Sequence, residues 1–407
     1  MMRLPRQVWV VFVLGTLNSL GWGATMPFLA VYLEVERHVP LSIIGLTYLV
    51  SGLVTLASQL LGGRLTDSLG SKTVLLIGYG CSIVTSIILG ATIEFGASVE
   101  IILLLYPIFS FVRTFSQPAA YAIVAGENSA NLRTGFSIIA IGGNLGWAIG
   151  PALGGILAQV YDYSAVFLLS AVSAVIVSLI TLLMVEGRVI LDRPKIQKVK
   201  TLLSWQDDRN LITFLILTLA AFTLIGFETT PLSLYVAGFL NFSNEQIGFL
   251  FATNGIVIVV LQLPLTRFFS RFKALVTPMV AATIAAAAAF FGASVSTSFL
   301  EMEVVTITVT LGEILLTVPA QTVLSLFSRS GNRGTYQGYY SAVTNSGYSL
   351  ASFFGPLSFS FFLFRPSLAW VLVATLAMVV GCAFAFLSPG LQRDYEKQSH
   401  RNEQIMD

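Results

Sequence analysis

Apolar residues run along this chain in long blocks separated by short polar breaks. The blocks are about 20 to 27 residues long, and about 20 helical residues at a rise of about 1.5 Å cross a hydrocarbon core of roughly 30 Å. Twelve blocks are predicted as membrane-spanning helices, over 7–33, 41–61, 73–93, 101–125, 135–160, 164–186, 210–236, 244–264, 274–296, 302–328, 334–360 and 366–389. The first follows Met1, Met2, Arg3, Leu4, Pro5 and Arg6. It is too long for the apolar region of a secretory signal and lacks a small-residue cleavage site, so it is expected to be retained.

Composition agrees with that pattern. Of 407 residues 55% are hydrophobic and 10% charged, against roughly 25% charged in a soluble domain, so the chain is an all-α membrane protein with the lipid bilayer as its partner. A net charge of +2 gives no bulk case for nucleic acid. Location says more than total: of the 22 Lys and Arg, 19 fall on the side of the termini, Arg37 and Arg365 fall opposite, and Arg113 lies inside a span. This asymmetry predicts a multi-pass protein of the cell membrane with both termini cytoplasmic. Cys81 and Cys382 sit within apolar blocks three and twelve and are expected to be packing residues. His38 and His400 fall in a loop and the tail, so no metal site and no cofactor are expected. No nucleophile lies beside a base, and the chain is not expected to be an enzyme.

The longest break, 187–209, is rich in both signs of charge and divides the chain into an N-terminal bundle (1–186), a cytoplasmic linker (187–209), a C-terminal bundle (210–390) and a cytoplasmic tail (391–407). The halves repeat. Gly45, Gly52, Gln59 and Arg64 match Gly248, Gly255, Gln262 and Arg267 at one constant offset. Pro118 and Ala119 match Pro319 and Ala320, Asn144 matches Asn345, Arg133 matches Arg333, and Gly150–Pro151 matches Gly355–Pro356 at nearly the same offset. Two pseudo-symmetric six-helix bundles explain these matches, and such repeats favour a site between the halves, reached alternately from either side.

Polar chemistry concentrates in GGRLTDSLGSK, residues 62–72, read here as the connection between spans two and three. Gly63, Leu65, Asp67, Gly70 and Lys72 resemble the signature of this loop in the major facilitator superfamily, with Ser68 and Ser71 where that family usually has basic residues. The resemblance implies the superfamily's twelve-helix fold, and it implies that Gly63, Asp67, Gly70 and Lys72 form a conformational switch that latches the halves on the cytoplasmic side. GWAIGPALGG in span five resembles the antiporter motif of the superfamily's exporters, through Gly146, Gly150, Pro151, Gly154 and Gly155, with Ser137 replacing an earlier glycine. Glycines four apart also make a flat face for close helix packing.

Three charged residues fall well inside spans, away from their ends: Arg113, Glu228 and Glu313. At mid-membrane each costs at least a few kcal/mol, so each is expected to have a functional partner. The resemblance places spans one, four, seven and ten around the cavity, which holds all three charges, and makes them proton-coupling candidates. Asn18, Trp22, Tyr106, Phe115, Phe227, Gln321 and Asn345 are substrate-cavity candidates; mostly apolar walls with few polar groups suit an amphipathic organic molecule. The expected function is that of a monomeric secondary transporter, an exporter of small amphipathic or drug-like molecules coupled to protons by alternating access, resembling the drug:proton antiporter group. The alternative is a symporter or facilitator of a polar metabolite such as a sugar, amino acid or organic acid.

Overall fold

A computed structural model describes residues 5–126, 132–187, 209–269, 276–327 and 333–406, and every regular element among them is helical. The expected linker, apart from its two end residues, and the side chain of Arg133 lie outside the described residues. Twelve spans follow in order. The first is α1 (Arg6–Val31) continued by a π-turn (Tyr32–Glu36), then come α2 (Leu41–Leu69) and α3 (Ser71–Glu94). The fourth is broken into α4 (Val99–Phe115) and α5 (Gln117–Gly126), and α6 (Leu132–Val160) and α7 (Tyr163–Met184) complete the first six. The seventh is broken again, into α8 (Arg209–Ile225), a 3-10 turn (Gly226–Glu228) and α9 (Thr230–Gly238). α10 (Asn244–Phe269), α11 (Thr277–Val295), α12 (Phe299–Phe327), α13 (Arg333–Phe361) and α14 (Ser367–Met406) finish the chain.

Among the described residues ten spans are both long and apolar enough to cross a bilayer. The remaining two, α12 and α13, have the length at 29 residues each. Their hydropathy is diluted by Glu301, Glu303 and Glu313 in one and by tyrosines and serines in the other. The residues expected as a tail prolong α14 to Met406.

The described residues cluster into two compact units. One comprises the residues up to 187 together with Thr230–Val259, and the other comprises 209–229 and the residues from Val260 onward. Their boundary crosses the seventh span at its break. α9 and the first part of α10 therefore pack with the first six spans.

The first unit is organised around backbone contact. A Cβ on Gly142 would stand 2.8 Å from the Phe12 carbonyl oxygen, and one on Gly154 would stand 2.6 Å from that of Ala24. Between them, Gly146 and Gly150 meet the Thr16 and Leu20 carbonyls even more closely. Each step of four on α6 thus matches a step of four on α1, and the two helices run parallel with their backbones touching. The other face of α6 does the same with α10: Gly155 lies on the Asn244 carbonyl, with Gly248 Cα 3.1 Å from where its Cβ would be, and Gly255 lies on Ala148. The second unit centres on rings instead. Trp370, fully buried, stacks on Phe290 at 5.5 Å and meets Phe359 at 5.6 Å.

Both breaks follow from proline. Pro118 and Pro231 have no N–H for the carbonyls of Thr114 and Phe227, so the regular ladder stops just ahead of each. The first break is held by glycines. Gly62 of α2 lies on the Phe115 carbonyl, and a Cβ on Gly78 of α3 would stand 2.8 Å from Ser116 Cβ. At the second, Thr229 leaves helical geometry (φ −95°, ψ −117°) and its hydroxyl donates to the Gly226 carbonyl at 2.6 Å.

Two expectations are corrected. The stretch 62–72 is not an extended connection: α2 runs to Leu69, α3 starts at Ser71, and Gly70 alone makes the turn at φ 82°. An L side chain rarely adopts that angle, whereas glycine does so freely, so one residue suffices. Cys81 and Cys382 are exposed on their helices rather than packed inside.

Two glycine substitutions test the packing argument. Gly150→Val forces a side chain into the α1 backbone and is expected to destabilise the fold by about 1–3 kcal/mol, whereas Gly80→Ala, with open space around it, is expected to change stability by about 0.5 kcal/mol or less. Denaturant titration in detergent measures both. Likewise Gly62→Ala is expected to lower the unfolding temperature while Gly63→Ala, whose nearest neighbour is Pro118 Cβ at 3.9 Å, leaves it nearly unchanged.

Candidate functional site

The second unit brings two of the three intramembrane charges to one place. Glu313 of α12 accepts a hydrogen bond at Oε1 from the Tyr348 hydroxyl of α13 at 2.8 Å. Glu228, on the 3-10 turn that breaks the seventh span, is 6% exposed. Tyr348 is within electrostatic reach of both carboxyl groups. Glycines make this convergence possible. A Cβ on Gly226 would stand 2.7 Å from Ala351 Cβ and 3.1 Å from Tyr348 Cδ1, and one on Gly347 would stand 2.6 Å from Phe222 Cβ. Phe222 in turn packs on Tyr340 and Tyr348, at 6.2 and 6.1 Å. Tyr340 donates to the Thr317 carbonyl at 3.1 Å, and Thr317 donates to the Glu313 carbonyl at 2.8 Å, which fixes α13 against the turn of α12 that carries the acid. The Tyr348 hydroxyl is thus tied to Glu313 by a hydrogen bond and lies in the field of Glu228.

The third charge lies in the first unit. The Arg113 guanidinium sits 4.3 Å from the centre of the Trp22 ring and donates to the Asn18 carbonyl at 2.9 Å. Its Nε is buried and meets no acceptor among the described residues. A cation over an indole face is attracted by the ring's quadrupole, more strongly where water is scarce. Trp22 stacks on Phe109, which stacks on Tyr106, and Tyr106 meets Tyr48, so α1, α2 and α4 are joined by one run of rings ending at the arginine. Asn18, Trp22 and Tyr106 are thus brought together around Arg113.

Other candidates are placed differently. Phe115 is buried among Val10, Leu14, Val74, Leu75 and Tyr79, and Phe227 among Phe290 and Trp370; both are packing positions. Gln321 is exposed on α12, and Asn345 is half-buried on α13, where its carbonyl accepts from Ser349 at 2.9 Å. In the stretch 62–72, Asp67 is exposed in the last turn of α2. Lys72 donates to the Leu182 carbonyl at 2.8 Å, capping the C-terminal end of α7, where a cation is favoured by the helix dipole. Gly146, Gly150 and Gly154 face α1, Gly155 faces α10, and Pro151 lies against Gly23. Beside them Trp147 donates to Asn254 Oδ1 at 3.2 Å and Tyr163 donates to Asn244 Oδ1 at 3.0 Å.

One acid was not foreseen. Glu34 lies in the π-turn at the end of α1, with a carboxyl oxygen buried and no donor to it among the described residues. In the sequence it opens the polar run EVERH, which reads as a loop. No three His, Cys, Asp or Glu come together for a metal among the described residues.

Comparison with known proteins agrees with this architecture. The chain is 24% identical to the uncharacterised MFS-type transporter YttB of Bacillus subtilis strain 168 over 360 residues, covering 86% of this chain and 88% of that one. It is 24% identical to multidrug resistance protein 1 of the same organism over 347 residues, or 83% and 85% of the two chains. Among solved structures, a peptide transporter POT bound to sulfate superposes with a TM-score of 0.77 at 13% identity, covering 96% of this chain and 95% of that one. The nucleoside transporter NupG superposes at 0.69 with 16% identity, covering 94% and 99%. The family model described as Major Facilitator Superfamily matches residues 11–356. With twelve helical spans in this order and that match along most of its length, the chain belongs to the Major Facilitator Superfamily.

Proposed function

We propose that this protein exports small amphipathic or drug-like molecules in exchange for protons. The observation that supports the reading best is the convergence of Glu228 and Glu313 on Tyr348 beside a broken helix. Broken helices at membrane depth are where transporters place binding and coupling groups. Protonation of Glu313 changes its hydrogen bond with Tyr348 and protonation of Glu228 changes the field around that bond, and only a difference in proton affinity between two states can move the equilibrium between them. The relative named multidrug resistance protein 1 and the glycine motif at 146–155 support export.

In this reading the bundles 1–186 and 210–390 rock about a site between them, and the termini face the cytoplasm of a cell-membrane monomer. Gly63, Asp67, Gly70 and Lys72 act as the switch, and Arg113, Trp22, Asn18 and Tyr106 contribute a cationic aromatic wall. One observation favours a second reading: among the described residues no carboxylate of its own unit pairs with Arg113, which rests on Trp22 and the Asn18 carbonyl, and this would suit the acid group of an organic-acid substrate.

Reconstitution in liposomes with an imposed pH gradient tests the choice. Lipophilic cations are expected to move against the gradient, and Glu313→Gln and Glu228→Gln are each expected to slow that movement by about tenfold or more. Tyr348→Phe is expected to retain substrate binding but shift the pH optimum. Wild-type rates in both Gln variants would end the carboxylate assignment, and acceleration of organic acids alone would select the second reading.

A further inference from the structure

Glu34 points from the π-turn Tyr32–Glu36 toward Gly238, the last residue of α9. A Cβ on Gly238 would collide with Glu34 Oε1 and would stand 2.8 Å from its Cδ and 3.1 Å from Oε2. Only glycine leaves room for the carboxyl group there. Oε2 is buried, and no donor among the described residues reaches it.

The surrounding charges do not relieve this group. α9 contains no charged residue, and its titratable one is Tyr235, a turn before Gly238. Arg37, three residues after Glu34, donates to the Tyr32 hydroxyl at 2.9 Å and to the Ala97 carbonyl at 2.8 Å. Glu36 acts on Tyr163 of α7, whose hydroxyl donates to Asn244 and whose N–H is held by Asp162. α2 presents Tyr48, whose hydroxyl donates to the Met26 carbonyl at 2.8 Å. His38 lies beyond the turn and is exposed.

We propose that Glu34 is a proton-operated latch: the neutral carboxyl group rests on Gly238 and holds the contact between α1 and α9 shut, and the ionised group, which needs water, leaves it and lets that end of the bundle open. The reason is desolvation. An anion pressed against a Cα with one oxygen lacking a donor gives up hydration and receives nothing, whereas a carboxylic acid gives up far less. Contact and proton therefore favour each other, so acid closes this end and alkali opens it. The biological role rests on the reading above: with the termini in the cytoplasm, Glu34 faces the outside, where an exchanger takes up its protons. Uptake there would close the outer end behind a released substrate.

The test uses the full chain in nanodiscs, with Cys81 and Cys382 changed to serine and spin labels on Phe95→Cys and Glu245→Cys, both exposed at this end. In otherwise wild-type protein the short-distance population is expected to fall about threefold or more between about pH 5 and about pH 9. Glu34→Gln is expected to keep it high at both. Glu34→Asp, one methylene shorter, is expected to lower it at both while keeping its fall with pH. Gly238→Ala, which wedges the seat, is expected to remove it at both. A wild type without pH dependence, or a Glu34→Gln variant with the wild-type profile, overturns the latch. If Glu34→Gln abolishes the pH response yet liposomes show no proton-coupled export, the latch stands and the exporter reading fails; the converse result overturns the latch alone.

Discussion

Lipid offers a backbone nothing to bond with, so the segments here satisfy themselves internally as helices, and what remains to hold helix to helix is contact. In the first unit that contact is made at the main chain. Gly142, Gly146, Gly150 and Gly154 bring α6 onto the carbonyls of Phe12, Thr16, Leu20 and Ala24, one helical turn at a time. Every other placement in the unit inherits this pairing. Trp22 stands one residue before Gly23, which is packed on Pro151, so the indole that carries Arg113 is located by the same seam.

The seam has a second side. Because Gly155 and Ala148 admit α10 equally closely, α6 lies between a helix of the first repeat and a helix of the second and meets the backbone of both through small residues. Hydrogen bonds from Trp147 to Asn254 and from Tyr163 to Asn244 pin the register that the small residues leave loose. The arrangement joins close approach, which is indifferent to sliding, to polar pairs, which are not.

Hydropathy and spacing made the twelve spans and the two repeats readable, because bilayer thickness fixes block length and the repeats share polar landmarks. The sites were only partly readable. Arg113, Glu228 and Glu313 stood out because an ionisable group inside an apolar run is costly, and Asn18, Trp22 and Tyr106 do gather around the first of them. Phe115 and Phe227 are cavity candidates by residue type alone, and residue type does not tell a cavity wall from the packed surroundings in which both are buried. Gly63 fits a signature, yet Gly62 makes the close approach, since only the rotation of α2 decides which of two adjacent glycines meets the neighbour. The breaks at Pro118 and Pro231 carried a local signal. Glu34 carried none, because nothing near it in the sequence announces Gly238.

The π-turn at Tyr32–Glu36 is an α-helix carrying one residue more than its regular winding accommodates. Deleting a single residue there would leave the winding regular, with the residues on either side keeping their directions, and would take away the wide turn on which Glu34 stands. Chain length at this corner is therefore as much a part of the chemistry as the identity of the acid.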